Sequence, residues 1–255
     1  MIELEKINIR GINFANVTMD EAFETAKNYI SGESGINKNY AVYTPNADIT
    51  QMCIDDKTGG LFDIINSADM IIPDGAGVVF AAKMLKTPLK QKVAGVMLAY
   101  NLLAYLNETG GKLFLLGSTQ DAVELAVKNI NAQYENIKVF FNNGYFNKEN
   151  EENNAVIKKI NDFSPDAVFV CLGAPTQEKW IYYNKEKINA KIMLGLGGTI
   201  NIIAGVKKYA PKIFIKLNLE WFYYLIRHPT RIKRFMMLPK FVFGTFFAQK
   251  KNKEK

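Results

Sequence analysis

The sequence predicts an α/β fold in which a parallel sheet is flanked by helices. Six short runs are apolar almost throughout, which is typical of strands buried on both faces of a sheet. Longer stretches with apolar residues at helical spacing separate these runs, as the helices of a parallel sheet must. No internal repeat and no Gly/Ser-rich linker interrupts the alternation. We therefore expect a Rossmann-like core with helices on both faces.

The predicted elements follow one another along the first 205 residues. The strands are predicted at 40–44, 69–72, 112–117, 138–141, 167–173 and 191–197. The first helix is predicted to begin at a capping box, in which Thr18 and Glu21 satisfy exposed backbone donors. Further helices are predicted at 119–133 and 151–163 from their apolar spacing.

The charge of the chain changes near residue 205. Residues 206–255 contain 13 Lys and Arg against two acids, a net charge of +11, whereas residues 1–205 have a net charge of −4. We therefore divide the chain into an α/β core, 1–205, and a basic, aromatic C-terminal appendage, 206–255. The basic balance indicates that the appendage meets something anionic.

The appendage reads as two amphipathic helices, 212–228 and 230–251, which are split by Pro229, with Pro239 kinking the second. Arg227, Arg231 and Arg234 share one helical face because they are four and three residues apart. Aromatic side chains among cations fit a pair of helices at a membrane surface. The alternatives are an ordinary core stripe with a solvated face, or nucleic acid, against which the acidic core argues.

Several classes of protein are excluded by missing motifs. The chain has no P-loop, and "GLGGTIN" is an incomplete dinucleotide fingerprint. Its only histidine, His228, lies in the basic tail, so we expect no Ser-His-Asp triad. Cys53 and Cys171 form no metal-binding or redox spacing. No Asp-x-Asp carboxylate pair occurs, which favours a mechanism without a metal ion. We also expect no cofactor. With neither a signal peptide nor a run long enough to span a membrane, we expect a cytoplasmic protein.

Small and polar residues follow five of the predicted strands. These segments are Thr44-Pro45-Asn46, Pro73-Asp74-Gly75, Gly117-Ser118-Thr119, Gly173 to Gln177, and Gly195 to Thr199 with Asn201 beyond. Ligands of open parallel sheets bind beyond the carboxyl ends of the strands, so these segments predict a cleft. Gly-Ser-Thr and Gly-Gly-Thr before helices suit a phosphate. Asp74 is either an ordinary turn residue or a general base.

An ordered set of motifs resembles a known family. "YTPNAD", "ADMIIPDGAGVV", "VAG" at 93–95, "FLLGS", "NGYF", "LGAPTQEKW", "GLGGT" and "EWFYYLIRHPTRIKRF" are similar to the WecG/TagA/CpsF glycosyltransferases, in order over residues 8–240. The resemblance implies an inverting, metal-independent transfer of a sugar from UDP to undecaprenyl-diphosphate-linked N-acetylglucosamine (GlcNAc). It is strongest to the branch that adds N-acetylmannosamine (ManNAc) in wall teichoic acid synthesis, whose C-terminal appendage is thought to close over the site at the membrane.

The resemblance also implies roles for individual residues. Asp74 would be the catalytic base, and Lys92 would stabilise the departing UDP. The substrate-binding residues would be Thr44, Asn46 and Gln177 at the sugar and Tyr145, Gly198, Thr199 and Asn201 at the nucleotide. From the charge and spacing of the appendage, and not from the resemblance, we expect Arg227, Arg231 and Arg234 to meet the lipid diphosphate and the membrane and to help stabilise the departing UDP. Lys92 departs from the usual arginine, and Val96-Met97 replaces a segment in which the family often has an aspartate.

The sequence therefore predicts an N-acetylmannosaminyltransferase at the inner face of the cell membrane. Its predicted partners are a UDP-sugar, a lipid-linked GlcNAc acceptor and an anionic membrane surface, with no nucleic acid; a homo-oligomer stays open. Transfer of glucose or a uronic acid to another lipid-linked sugar is the alternative within this class. A non-catalytic protein that binds a nucleotide sugar or a lipid diphosphate is the alternative outside it.

Overall fold

The computed structural model describes residues 4–35, 39–56, 58–227, 232 and 236–253. The strands are β1 (Lys6–Ile9), β2 (Ile12–Ala15), β3 (Tyr40–Tyr43), β4 (Met70–Ile71), β5 (Lys112–Gly117), β6 (Lys138–Asn142), β7 (Ala167–Cys171) and β8 (Ile192–Gly195). The helices of the first 205 residues are α1 (Met19–Ser31), α2 (Ala47–Asp55), α3 (Gly60–Asn66), α4 (Ala76–Met84), α5 (Gly95–Thr109), α6 (Gln120–Gln133), α7 (Glu151–Phe163), α8 (Thr176–Asn184) and α9 (Thr199–Ile203). They are followed by α10 (Lys212–Lys216), α11 (Glu220–Arg227) and α12 (Met237–Lys253).

The central sheet is parallel, with the strand order β4-β3-β8-β7-β5-β6. Successive residues of a strand enter opposite cores, as the period of two requires. In β5, Leu113 and Leu115 lie in one hydrophobic cluster, and Phe114 and Leu116 lie in the other. The sheet is thus covered on both faces, which confirms the predicted fold class and all six predicted strands.

The three helices predicted within residues 1–205 are also present. The capping box opens α1 as expected: the Glu21 backbone N–H donates to Thr18 Oγ1 at 3.2 Å, and the Thr18 N–H donates to a Glu21 carboxylate oxygen at 2.8 Å. The segments predicted at 119–133 and 151–163 form α6 and α7.

A hairpin formed by β1 and β2 lies outside the predicted elements. Arg10 and Gly11 connect its antiparallel strands, and both have positive φ, which suits the tight turn of a two-residue hairpin loop. Ile9, Ile12 and Phe14 are fully buried, so the hairpin covers one edge of the core.

The C-terminal segment differs from the two long helices that the sequence predicts. α10 and α11 replace the first, because the chain turns between them at Asn218, whose φ is +58°. Pro239 was predicted to kink a helix, but it lies in the first turn of α12, which begins at Met237. The backbone N–H groups of a first turn have no partner within the helix, so a proline fits there. Pro229 lies outside the described residues.

The last helix, α12, packs against α2 and α4. Phe241 is fully buried in the same hydrophobic cluster as Phe14, and Lys240 forms an ion pair with Asp55 of α2 at 2.7 Å. A Cβ atom on Gly77 of α4 would lie 2.6 Å from the Leu238 side chain, so the absence of a side chain at Gly77 allows this close approach. The contact brings the end of the chain back to the carboxyl edge of the sheet.

Candidate active site

A cleft of about 720 Å³ opens at the carboxyl ends of the parallel strands. The segment after each of the six strands contributes to its wall: Thr44 after β3, Asp74 after β4, Ser118 after β5, Tyr145 after β6, Gly173 after β7 and Gly197 after β8. The C-terminal segment closes the opposite side with Lys207, Tyr209, Asn218, Glu220, Trp221, Tyr224 and Leu238. The cleft therefore lies where ligands of open α/β sheets bind.

Asp74 is held in this cleft by backbone hydrogen bonds. It follows β4 and Pro73, and the Val93 N–H donates to the Pro73 carbonyl at 3.0 Å, which fixes the loop against the start of α5. The Asp74 carboxyl accepts hydrogen bonds from the backbone of Gly95 and Gly75. The first residue of α5 thus presents an N–H, and the positive end of the helix, to this carboxylate.

The pKa of Asp74 is raised to about 7, chiefly by burial and to a smaller extent by the nearby Glu220 carboxylate. The Lys92 ammonium and the two backbone N–H groups act in the opposite direction on that pKa. A carboxyl group with a pKa near the pH of the cell can take up and release a proton there, as a general base must.

Thr44 and Gln177 brace the wall of the cleft at the end of β8. The Thr44 hydroxyl donates to the Gly195 carbonyl at 2.8 Å. The Gln177 side-chain carbonyl accepts from the Gly197 N–H at 2.9 Å, and its amide donates to Glu178 at 2.8 Å. Both side chains are buried, so their polar atoms are fixed in place before any ligand arrives.

Asn46 begins α2 at the same end of the cleft. Its side-chain oxygen accepts from the Ile49 N–H at 3.1 Å, so this oxygen caps the helix. A Cβ atom on Gly75 would lie 3.6 Å from Asn46 Cβ, which places Asn46 beside the Asp74 loop. Thr44, Asn46 and Gln177, predicted together at a sugar, therefore line one end of the cleft with Asp74.

The residues predicted near a nucleotide lie along the same cleft. Ser118 Oγ donates to Asn201 Oδ1 at 2.7 Å, and the Thr199 hydroxyl donates to the Leu196 carbonyl at 2.7 Å. Tyr145 stands at the rim with 78% of its surface exposed. Gly198 is also in the wall, so each of the seven predicted substrate-binding residues lines this one cleft with Asp74.

Comparison with known proteins agrees with this arrangement. The family model described as "Glycosyl transferase WecG/TagA/CpsF family" matches residues 7–255. The chain belongs to the WecG/TagA/CpsF family of glycosyltransferases. Curated relatives named N-acetylglucosaminyldiphosphoundecaprenol N-acetyl-beta-D-mannosaminyltransferase, from Staphylococcus aureus strains MW2 and NCTC 8325 / PS 47, are each 35% identical over 249 residues. These matches cover 98% of this chain and 95% of each relative. The resemblance inferred from the motifs is confirmed.

The cationic residues predicted in this glycosyltransferase are placed differently from the polar ones. Lys92 is not part of the cleft wall, and its ammonium forms an ion pair with Glu220 of α11. Arg227 is exposed outside the cleft, with its guanidinium 5.8 Å from the centre of the Tyr223 ring. Arg231 and Arg234 lie outside the described residues.

The cleft of this family member also contains side chains that the sequence did not single out. Lys207 lies beside Gly198, with its ammonium 4.3 Å from the centre of the Tyr224 ring. Burial raises the pKa of the Tyr209 phenol, and raises that of Tyr224 to about 12, so both phenols are neutral near Asp74. The sequence does contain a signal that could have identified Glu220, because it is one of only two acids in the basic C-terminal segment.

Within the part of the chain that the structure describes, no group of three or more His, Cys, Asp or Glu side chains is placed to hold a metal ion. Over the same residues, every helix is too short or too polar to cross a bilayer.

Proposed function

We propose that this glycosyltransferase moves ManNAc from UDP-ManNAc to the 4-hydroxyl of GlcNAc-diphospho-undecaprenol, a step of wall teichoic acid linkage-unit synthesis. The observation that carries the proposal is Asp74, a carboxyl group with a pKa of about 7 in a cleft lined by the seven predicted substrate-binding residues. The names of the S. aureus relatives support both the sugar and the acceptor.

The reaction is a single displacement. The acceptor hydroxyl oxygen attacks the anomeric carbon of ManNAc while the bond from that carbon to the diphosphate oxygen breaks. UDP leaves with the bonding electron pair, and the hydroxyl proton passes to the Asp74 carboxylate. Attack from the face opposite UDP inverts the anomeric configuration.

The cleft divides between donor and acceptor in this proposal. Thr44, Asn46 and Gln177 contact the transferred sugar next to Asp74, because they surround the Asp74 loop and the end of β8. Gly198, Thr199, Asn201 and Tyr145 contact the nucleotide. Their neighbour Lys207 brings an ammonium to the same part of the wall, where negative charge develops on the departing UDP. Lys92 acts from behind the cleft, through its position beside Asp74.

The reaction as proposed needs no metal ion. Cationic side chains and backbone N–H groups at the carboxyl edge of the sheet supply the positive charge that the diphosphate requires. Transfer activity is therefore expected to persist when a chelator such as EDTA is present. Loss of activity with EDTA, and its recovery with a divalent cation, would contradict this part of the proposal.

The C-terminal segment, residues 206–255, is proposed to hold the enzyme on the inner face of the cell membrane as a peripheral protein. Large apolar side chains are exposed on α10, α11 and α12, among them Ile213, Phe222, Ile226, Phe243 and Phe247. They stand among the cations of a segment with net charge +11. Apolar side chains in the headgroup layer and cations on lipid phosphates together favour binding at an interface. The arginines Arg227, Arg231 and Arg234 are proposed to meet the phosphates of the lipid.

The donor is tested by measuring UDP release with a panel of UDP-sugars and a GlcNAc-diphospholipid acceptor. The proposal expects UDP-ManNAc to be the preferred donor and release to depend on the acceptor. Preference for UDP-glucose or a UDP-uronic acid would replace the donor but keep the reaction class. Binding of UDP-sugars without release from any of them would favour the non-catalytic binding protein.

A further inference from the structure

An ion pair joins the C-terminal segment to the loop that precedes α5. The Lys92 ammonium meets the Glu220 carboxylate, and each side chain is only 18% exposed. The two residues are 128 positions apart in the sequence. An ion pair shielded from water is weakened less by solvent and salt than a surface pair, so this contact fixes both side chains.

The pair lies beside Asp74, and both of its members influence that carboxyl. Lys92 favours the charged form of Asp74, and Glu220 disfavours it. Among the described residues, Asp74 also meets the Gly75 and Gly95 backbone N–H groups and lies near two neutral phenols, Tyr209 before α10 and Tyr224 of α11. The Lys207 ammonium lies in the same cleft, against the Tyr224 ring. The Lys92 ammonium thus stands near two carboxylates, and its ion pair is with Glu220.

Whether the Lys92 ammonium binds Glu220 or Asp74 affects how well Asp74 can act as a base. An ammonium bound directly to the Asp74 carboxylate would stabilise its charged form and occupy an oxygen that must receive a proton. With Lys92 bound to Glu220, much of the lysine charge is balanced, and Asp74 lines the cleft with its carboxyl held by backbone N–H groups instead of by the ammonium. The two carboxylates therefore have different tasks: Glu220 binds the cation, and Asp74 meets the substrate.

We propose that Glu220 is a positioning residue for glycosyl transfer, which holds the Lys92 ammonium away from Asp74 and so keeps Asp74 able to accept the acceptor proton. The inference rests on the proposed function for the role of Asp74 as the base. Glu220 acts through Lys92, so its removal should release the ammonium to Asp74. Because Glu220 belongs to α11, the base is fully basic only when the C-terminal segment is seated on the core.

The test is a direct titration of Asp74 in the full-length protein. Aspartate labelled with carbon-13 at the side-chain carboxyl is incorporated, and the Asp74 signal is assigned by its loss in Asp74→Asn. Glu220→Gln is expected to lower the pKa of Asp74 by about one unit, because a neighbouring cation shifts a carboxyl by that order. An unchanged or raised pKa in Glu220→Gln would overturn the proposal.

Two further variants separate the action through Lys92 from simple removal of a charge. In Lys92→Met the pKa of Asp74 should rise, and adding Glu220→Gln to Lys92→Met should lower it by less than Glu220→Gln does alone. Equal shifts in the two backgrounds would mean that Glu220 does not act through Lys92, and would overturn the proposal. If Glu220→Gln alone fails to fold, the variant carrying both Lys92→Met and Glu220→Gln is used, because it leaves neither member of the ion pair without its partner. Its Asp74 pKa is compared with that of Lys92→Met and of the wild type.

Asp55→Asn is the matched control. It also converts a carboxylate to an amide and breaks an ion pair between the core and the C-terminal segment, that of Asp55 with Lys240. The Asp74 titration should not move in this variant; a shift as large as that in Glu220→Gln would assign the effect to loosening of the segment and overturn the proposal. Because the titration needs no substrate, it decides the proposal even if the wild-type protein transfers no sugar, a result that would refute the proposed function alone.

Discussion

Replacing Asp74 with asparagine is expected to stabilise the protein at alkaline pH while it removes the catalytic base. The folded protein binds the Asp74 proton more tightly than the unfolded chain does, because burial raises the pKa from 3.8 to about 7. Ionising this carboxyl therefore costs folding free energy. An asparagine cannot ionise, and its side-chain oxygen can still accept the N–H groups of Gly75 and Gly95.

The size of the effect follows from the shift in pKa. About three pKa units at about 1.4 kcal/mol each give an upper limit of about 4 kcal/mol. Asp74 is only partly buried, and solvent screening reduces the cost, so we expect a gain of about 2 kcal/mol in the free energy of unfolding. The gain should be small at pH 4, grow as the pH rises from 4 to 7, and stay constant above the folded-state pKa.

Urea denaturation of both proteins at pH 4 and pH 8 measures this difference. Asp55→Asn is the control, because its ion pair with Lys240 and its hydrogen bond lower the pKa of Asp55, so its removal should not stabilise the protein at pH 8. The reasoning is refuted if Asp74→Asn is less stable than wild type at pH 8. It is also refuted if the difference between the two proteins is the same at both pH values.

Three other predictions concern the base, the packing of α12 and the membrane. Since only ionised Asp74 accepts a proton, kcat/KM should fall about tenfold per pH unit below about pH 7 and level off above it; a profile that stays flat down to pH 5 argues against this base. Phe241→Ala should lower the free energy of unfolding in urea by about 3 kcal/mol, whereas Phe243→Ala, at a position 65% exposed, should change it by less than about 0.5 kcal/mol. Equal effects would mean that α12 does not bury Phe241. Changing the exposed Phe246 and Phe247 to serine should weaken cosedimentation with anionic vesicles without altering the urea midpoint, and undiminished binding would count against α12 as a membrane contact.

The sheet and its functional edge could be predicted from the sequence because both depend on local pattern. Strands buried on both faces are apolar runs, and the polar residues that follow them must meet at one edge when the strands are parallel. Thr44, Asp74 and Gln177 could therefore be assigned to one site from the amino-acid sequence alone. The order of the strands could not be predicted in this way, since the placement of β8 between β3 and β7 is decided by packing across the whole sheet.

The C-terminal segment was predicted less well because its apolar residues are divided between two environments. Helical spacing does not distinguish Phe241, which enters the core, from Phe243, which faces outward. The break between α10 and α11 depends on Asn218, a residue that tolerates positive φ but does not require it. The ion pair of Glu220 with Lys92 joins distant parts of the chain, and no local pattern predicts it.

The central claim is sugar transfer with Asp74 as the base, and UDP release tests it most directly. Wild-type protein and Asp74→Asn are compared with UDP-ManNAc and a GlcNAc-diphospholipid in bilayers, and donor binding is measured on both by calorimetry. We expect UDP release by the wild type and a loss of about 10²–10⁴-fold in Asp74→Asn, with donor affinity retained. Undiminished release by Asp74→Asn, or no release by the wild type with any donor, would contradict the claim.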